Sequence, residues 1–510
     1  MRSKLAAAIL TVPVVLVAFI GFSGRAAQAA VPCVVPTVLH PTIQSAVNDP
    51  TCDPINVLAS ATPYNENVQI TRPLTLNGAQ ANIDARTRSG PESIIDNSTG
   101  PIQILANNVT VNGFTLQGAV DNPNSPPFTG LGAGIWTNPG FSGTDGGHQI
   151  LNNIIQNNIS GIELDNTGAI QTKVQFNLFR NNNKPGAGSG NGIEVNFGLR
   201  NALIDNNTFT GDTSSSFVVA TSPPNDSITF SNNLLLGGST EGIVWFNVSS
   251  SSIVSNTSIG STSGATVYLG GGDSTISVNN NILANGMRGI QVENPFSVGA
   301  NSMVTAHGNC ISGNSAAGLE EDMGGYSSPP RLNATNNWWG STTGPTIASN
   351  SGGTGDRIID ADGVVDYNPF TSTQPPPPCP VSFTKLASGS FVIGDRNASV
   401  GSAVTFWGAQ WSKANAPSGG AAPSAFKGFA DTTTANPPAC NANWSTAPGN
   451  SSQPPASVPQ TMAVIVSSSI GKSGSSISGD TVHVVVVQTN PGYAPNPGHA
   501  GTGTVVAVLC

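Results

Sequence analysis

Between Gln149 and Asn166 the chain reads Gln-Ile-Leu-Asn-Asn-Ile-Ile-Gln-Asn-Asn-Ile-Ser-Gly-Ile-Glu-Leu-Asp-Asn. Two short runs of alternating apolar residues are each closed by asparagine, which is the signature of period-2 strands separated by tight turns. Gly-Ile-Glu-Leu-Asp-Asn returns as Gly-Ile-Glu-Val-Asn-Phe from Gly192, Gly-Ile-Val-Trp-Phe-Asn from Gly242 and Gly-Ile-Gln-Val-Glu-Asn from Gly289. Asn-Ile-Ile returns as Asn177-Leu178-Phe179, Asn207-Thr208-Phe209, Asn281-Ile282-Leu283 and Asn309-Cys310-Ile311. A pair of strands that recurs every two to three dozen residues has only copies of itself to stack on, so the pattern predicts a solenoid, one coil per repeat: a parallel β-helix.

Composition agrees. Charged residues make up 9% of the chain, against about a quarter in an ordinary soluble domain. A stacked solenoid tolerates this because each coil buries its inward side chains on the next and asparagines at the turns bond to one another in ladders. The formal net charge is −9, and the first 30 residues carry Arg2, Lys4 and Arg25 but no acid, so their removal leaves −12. That balance argues against nucleic-acid or anionic-membrane partners.

Residues 1–30 combine a basic start, an apolar run from Leu5 to Phe22 and Ala27-Gln28-Ala29 in the small-x-small form of a cleavage site. They read as a secretory signal peptide, with no membrane segment left after its removal. Export gives the six cysteines an oxidising compartment. Cys33 and Cys52 are expected to pair around a short amphipathic helix in Pro41–Val47 that caps the first coil, and Cys440 with Cys510, leaving Cys310 and Cys379 for a third bridge.

The run from Pro41 to Gly78 resembles the opening of right-handed parallel β-helix proteins of the pectin-lyase-like superfamily. Asn336-Asn-Trp-Trp-Gly-Ser341 with Gly344-Pro345 resembles a motif common near the end of such domains. The resemblance covers roughly residues 33 to 370. It implies the fold and leaves the activity open, since the superfamily spans lyases, hydrolases, esterases, epimerases and non-enzymatic surface proteins. The motif sets of polygalacturonases (Asn-Thr-Asp, Asp-Asp, Gly-His-Gly, Arg-Ile-Lys), alginate epimerases (Asp-Pro-His-Glu) and pectate lyases (Trp-Ile-Asp-His) are absent from the chain.

The expected organisation is therefore a signal peptide at 1–30, a capped right-handed β-helix at 31–370, a stiff Pro-rich linker at 371–380 and a small β-sandwich-like domain at 381–510. The last part has alternating strands such as Ser402–Trp407, Met462–Val466, Val482–Val487 and Thr504–Val508. It resembles an uncharacterised C-terminal domain of secreted bacterial proteins, which implies location.

Because successive side chains on a strand alternate faces, Ile162, Leu164, Ile193, Val195, Ile290 and Val292 should be buried while Glu163 and Glu194 are exposed in register. Aligned repeats give an outward column of Trp136, Glu163, Glu194, Val244, Val267, Gln291 and Glu320, with the coil near Phe217 unassigned, and beside it Asp165, Asn196, Phe246, Leu269, Glu293 and Asp322. Glu163, Asp165 and Glu194 are the candidate acid–base residues and Trp136 the candidate sugar platform. Val244, Phe246, Val267 and Leu269 would form an exposed apolar patch facing the C-terminal domain. Glu320-Glu321-Asp322 is expected in a solvated loop able to take Ca²⁺ as a minor alternative. His148 and His307 have no metal-ligand spacing around them and are expected in turns. The sequence thus points to a monomeric, secreted or cell-surface protein that binds or processes a polysaccharide or cell-surface glycan, as a lyase or glycoside hydrolase if it is an enzyme. The rival is a non-catalytic adhesin or scaffold attached through its C-terminal domain.

Overall fold

The computed structural model describes residues 30–120, 132–137, 146–220, 224–236, 240–259, 261, 263–284 and 286–373, together with the backbone of five strands between 384 and 504. The described residues between 30 and 373 form a parallel β-helix. The chain visits three sheets in turn, of thirteen, nine and twelve strands. The repeat centred on Gln149–Asn166 contributes Gln149–Leu151 to the first, Ile154–Gln156 to the second and Ser160–Leu164 to the third. Each coil therefore has three strands where the sequence pattern showed a pair. Only Asn152 and Asn153 separate the first two, so their apolar runs merge when read along the chain.

Those two-residue turns explain the asparagines. Asn152, Phe176, Asn206, Asn232, Ser255, Asn280 and Asn336 all have φ between 52 and 59°, a left-handed conformation in which asparagine is the least penalised residue after glycine. The residue after each one is a buried asparagine, and together Asn153, Asn177, Asn207, Asn233, Asn256, Asn281, Asn309 and Asn337 form an unbroken ladder. Successive members are 23 to 30 residues apart. Asn233 shows the wiring. Its backbone N–H and its Nδ2 both donate to Asn256 Oδ1 (2.9 and 3.1 Å), and Nδ2 also donates back to the Ile204 carbonyl (2.9 Å). Its Oδ1 accepts from the Asn207 backbone and Nδ2. Both amide hydrogens and both lone pairs are used, so a polar side chain is buried without the desolvation cost of an unmade bond.

Inside the coils the side chains stack by type. The inward column of the third sheet runs Ile135, Ile162, Ile193, Phe217, Ile243, Val267, Ile290, Leu319 and Ile358. Ile162, Leu164, Ile193, Val195, Ile290 and Val292 are all buried, as the alternation required. Phe179 stacks on Phe209 at 4.6 Å, and Phe217 on Phe230 at 5.4 Å. The first coil is closed by the helix Ile43–Asn48, whose Thr42 cap accepts from Ser45 N–H and whose Ile43, Ala46 and Val47 are buried. The Cys33–Cys52 disulfide ties the first two strands together. Cys310 is also disulfide-bonded.

Among the described residues, five strands lie in the C-terminal part. Thr384–Val392, Thr481–Gln488 and Thr461–Ser468 form one antiparallel sheet, and Ala403–Phe406 pairs antiparallel with Gly501–Thr504. The packing of these sheets, the Cys440–Cys510 pairing, residues 1–29 and residues 374–380 of the Pro-rich linker lie outside the described residues. Among the described residues no helix is long and apolar enough to cross a membrane.

Two aspartates sit at buried turn positions where asparagine would complete the bonding. Asp212 ends a second ladder begun by Asn158 and Asn182, its Oδ1 accepting from Asn182 N and Nδ2 while Oδ2 has no partner. Asp273 accepts from Val248 N with its Oδ2 likewise unpartnered. Burial pushes both carboxyls up to about 7. The fold therefore holds these protons more tightly than the unfolded chain, whose aspartates titrate near 3.9. This contribution is full below about pH 4 and is lost as pH rises through about 7. The melting temperature is expected to fall between pH 4 and 8. An Asp212→Asn/Asp273→Asn variant should flatten that fall and be more stable than the parent at pH 8, by up to about 4 kcal/mol per site, as calorimetry across the pH series would show.

Candidate functional site

The outward column of the third sheet is set by strand pairing: Gln103, Trp136, Glu163, Glu194, Val218, Val244, Tyr268, Gln291 and Glu320. Neighbours are separated by one strand spacing, about 4.8 Å. Val218 fills the coil that the repeat alignment left open. Val267 and Leu269 do not belong to the outer face: both are fully buried inside the coil, and Tyr268 and Gly270 take the outward positions. Thr266 stands where neighbouring repeats carry glycine, so the motif offers no anchor there, and a one-residue slip reverses every face. The exposed apolar patch is correspondingly lost, since Val244 and Phe246 are themselves covered.

Glu163 and Glu194 are direct partners on adjacent strands, as expected, but Glu163 is 0% exposed. It points out of the coil and is closed over. Asn196 Nδ2 donates to Glu163 Oε1 at 2.9 Å and to Glu194 Oε1 at 3.1 Å, bridging the two coils. Asp165 is buried too, its Oδ1 accepting the backbone N–H groups of Asn196 and Phe197 at 2.8 Å each. Glu163 Oε2 and Asp165 Oδ2 are buried without a donor from any other residue. Burial, then the charges of Asp165 and Glu194, raise the Glu163 carboxyl well above its ordinary range, and burial raises Asp165. One proton held on Glu163 and donated to Asp165 satisfies both oxygens at once. Glu194 is half-buried and takes a further bond from Asn191 Nδ2 (3.2 Å). Trp136, expected as an open sugar platform, is buried in line with Glu163.

A second group of polar side chains lies further along the same sheet, and the sequence pattern did not single it out. Tyr268 donates its hydroxyl to Glu293 Oε1. Gln291 Nε2 donates to Glu293 Oε2 at 3.2 Å and Asp322 Oδ2 at 3.0 Å. Arg288 pairs with Glu320. Glu241 carries a carboxyl raised by burial and by the charge of Glu293. Phe246 meets Tyr268 edge-on at 5.8 Å and Phe296 at 5.5 Å, and Phe296 is 67% exposed. The repeats had placed Gln291, Glu293 and Asp322 on outward columns; Tyr268 was hidden by the slip at Thr266.

The acidic run Glu320-Glu321-Asp322 is not a solvated loop. Glu320 and Glu321 end the strand Ala317–Glu321 and are buried. Their side chains diverge: Glu320 faces Arg288, Glu321 accepts from Asp362 N–H, and Asp322 accepts from Gln291. His148 is a loop residue just before the strand at Gln149, fully buried with neither ring nitrogen bonded, and burial holds it near 4. His307 ends the strand Ser302–His307. Among the described residues, Cys33, His40 and Cys52 are the one group of three or more His, Cys, Asp or Glu close enough to hold a metal ion, and two of them are committed to a disulfide.

No protein-family description, no curated protein and no solved structure matches the chain.

Phe246 lies over Gly270 of the next coil, where an added Cβ would stand 2.1 Å from the ring. Gly270→Ala is therefore expected to lift Phe246 off the sheet and cost about 1–3 kcal/mol in denaturant unfolding; an unchanged midpoint would show that the ring is not seated there.

Proposed function

We propose that this is a secreted β-helix protein of the pectin-lyase-like type that binds or processes a polysaccharide along the outer face of its third sheet. The observation that supports this most directly is the Glu163–Asp165–Glu194 group. A carboxyl kept neutral by burial and a carboxylate neighbour is a proton donor in waiting, and Asn196 links it to Glu194, the member that reaches the surface. In this reading Glu194 meets the sugar, the Glu163–Asp165 pair stores the proton, and the rest of the face carries the chain across successive coils. Export rests on the leader-like N-terminus and agrees with the Cys33–Cys52 disulfide.

One feature favours the scaffold alternative. Asp165 caps the backbone of the next coil much as Asp212 and Asp273 do elsewhere, and buried acids in such places hold the solenoid together whether or not they do chemistry. Glu194 separates the two readings because no turn depends on it. With a glycan panel assayed for binding and for new reducing or unsaturated ends, Glu194→Gln should leave stability within about 1 kcal/mol while turnover falls by about a hundredfold, the lower end of acid–base contributions. Binding without turnover in the parent would make the face a lectin-like surface, and neither binding nor turnover would leave the scaffold.

A further inference from the structure

We propose that the N-terminal cap is also a metal site: once the Cys33–Cys52 disulfide is reduced, the two cysteines and His40 bind one zinc-class divalent cation, with Asp49 as the fourth ligand. This uses no residue of the third sheet and stands apart from the polysaccharide reading.

The side chains already converge. The sulfurs of Cys33 and Cys52 and a ring nitrogen of His40 lie within 4.8 Å of one another. His40 Nε2 stands 3.5 Å from Cys52 Sγ and 3.1 Å from Asp49 Oδ2. A tetrahedral zinc with ordinary bond lengths has ligand-to-ligand edges of about 3.5 Å for N···S, about 3.3 Å for N···O and about 3.8 Å for S···S. The two edges that meet at His40 Nε2 are therefore close to their final length, and reduction frees the sulfurs to open to the third.

The surrounding bonds hold this arrangement without help from the disulfide. Arg72 donates from Nε to the Val47 carbonyl at 3.1 Å and from Nη2 to those of Asp49 and Cys52 at 2.7 and 2.6 Å, fixing the segment that carries two of the ligands. Asp49 Oδ1 accepts the N–H and the hydroxyl of Thr51 at 2.9 and 2.7 Å, which turns Oδ2 toward His40. His40 is fixed in turn by its N–H on Thr37 Oγ1 and its carbonyl on Thr37 N–H. Cys33 is placed by the pairing of Val31–Val35 with Cys52–Val57. A ligand set whose partners are oriented by outer hydrogen bonds in this way loses little on capturing an ion.

Disulfide and metal exclude each other, because bonded sulfurs carry no charge to offer a cation. A dithiol reductant passes two electrons to the Cys33–Cys52 bond and leaves as its own disulfide, and each sulfur takes a proton. Zn²⁺ then displaces one proton from each thiol. Two thiolates with an imidazole select zinc over calcium or magnesium. The cap thus has two closed forms, and in either one the first two strands are tied together.

Cobalt(II) titrated into the full chain reduced by a phosphine, which leaves as its oxide, tests this by absorbance. One equivalent should give the intense visible bands and the thiolate charge-transfer band of a tetrahedral site, zinc should bleach them, and the oxidised chain should show neither. Cys33→Ser/Cys52→Ser keeps the other four cysteines and should lose the bands. It should melt with the reduced, metal-free parent, since both lack the bridge. His40→Ala, which keeps the disulfide when oxidised, should weaken cobalt binding by at least about tenfold. Zinc should raise the melting temperature of the reduced parent and leave that of the double-serine chain unchanged. Reduced parent without the tetrahedral thiolate bands would overturn the proposal. Bands that survive in the double-serine chain would place the metal on other cysteines, and affinity unchanged by His40→Ala would remove the imidazole; either result overturns the site as drawn.

Discussion

Everything in the solenoid hangs on one requirement: a chain that turns sharply three times per coil must bury polar backbone at each turn and leave none of it unbonded. The asparagine ladder from Asn153 to Asn337 meets this requirement at the turn between the first and second sheets, giving that turn in each coil a side chain that imitates a peptide group and hands its bonds to the next coil. Because every amide contacts the copy above and the copy below, the ladder also sets register. Register in turn decides which side chains face the core and which face out. The outer face of the third sheet is an orderly column of side chains for that reason, and the position of Glu163 beside Glu194 follows from the ladder at some distance from either residue.

Most of the fold was legible because its signals are local and repeated. Ile162, Leu164, Ile193 and Val195 alternate with polar residues behind a glycine, and the strand, its face and its neighbour can be read together. The Thr42-capped helix and the Cys33–Cys52 bridge were legible for similar reasons. Val267 and Leu269 were misplaced because Ala-Thr-Val-Tyr-Leu has no alternation and no glycine to fix its phase. The burial of Glu163 and Trp136 was out of reach for a different reason. Alternation says that a side chain leaves the coil and says nothing of what lies over it, and the residue that bridges above Glu163 is Asn196, one coil away. The Tyr268–Glu293–Asp322 group is likewise assembled from three coils, and nothing in any one repeat announces it.

The acids of this protein divide by environment. Asp205 sits among Asn232, Ser231, Asn206 and Gln175, whose hydrogen bonds outweigh its burial and hold its carboxyl below the usual range. Asp212, Asp273 and Glu321 are buried with an oxygen that has no partner, Glu163 is buried against Asp165, and all four are pushed upward. Among these four, the Glu163 group combines that upward shift with a route to the surface, through Asn196 to Glu194. That conjunction separates a candidate site from a structural proton.

The most direct test of the account is the protonation state of Glu163 itself. Infrared difference spectra between the parent chain and Glu163→Gln, recorded across pH, isolate the carboxyl band of this one residue. The account predicts a protonated band that persists well above pH 4.3, where ordinary glutamates ionise. A band that disappears together with the bulk glutamates would mean that the Glu163–Asp165 pair holds no shared proton, and the outer face would lose its proton donor.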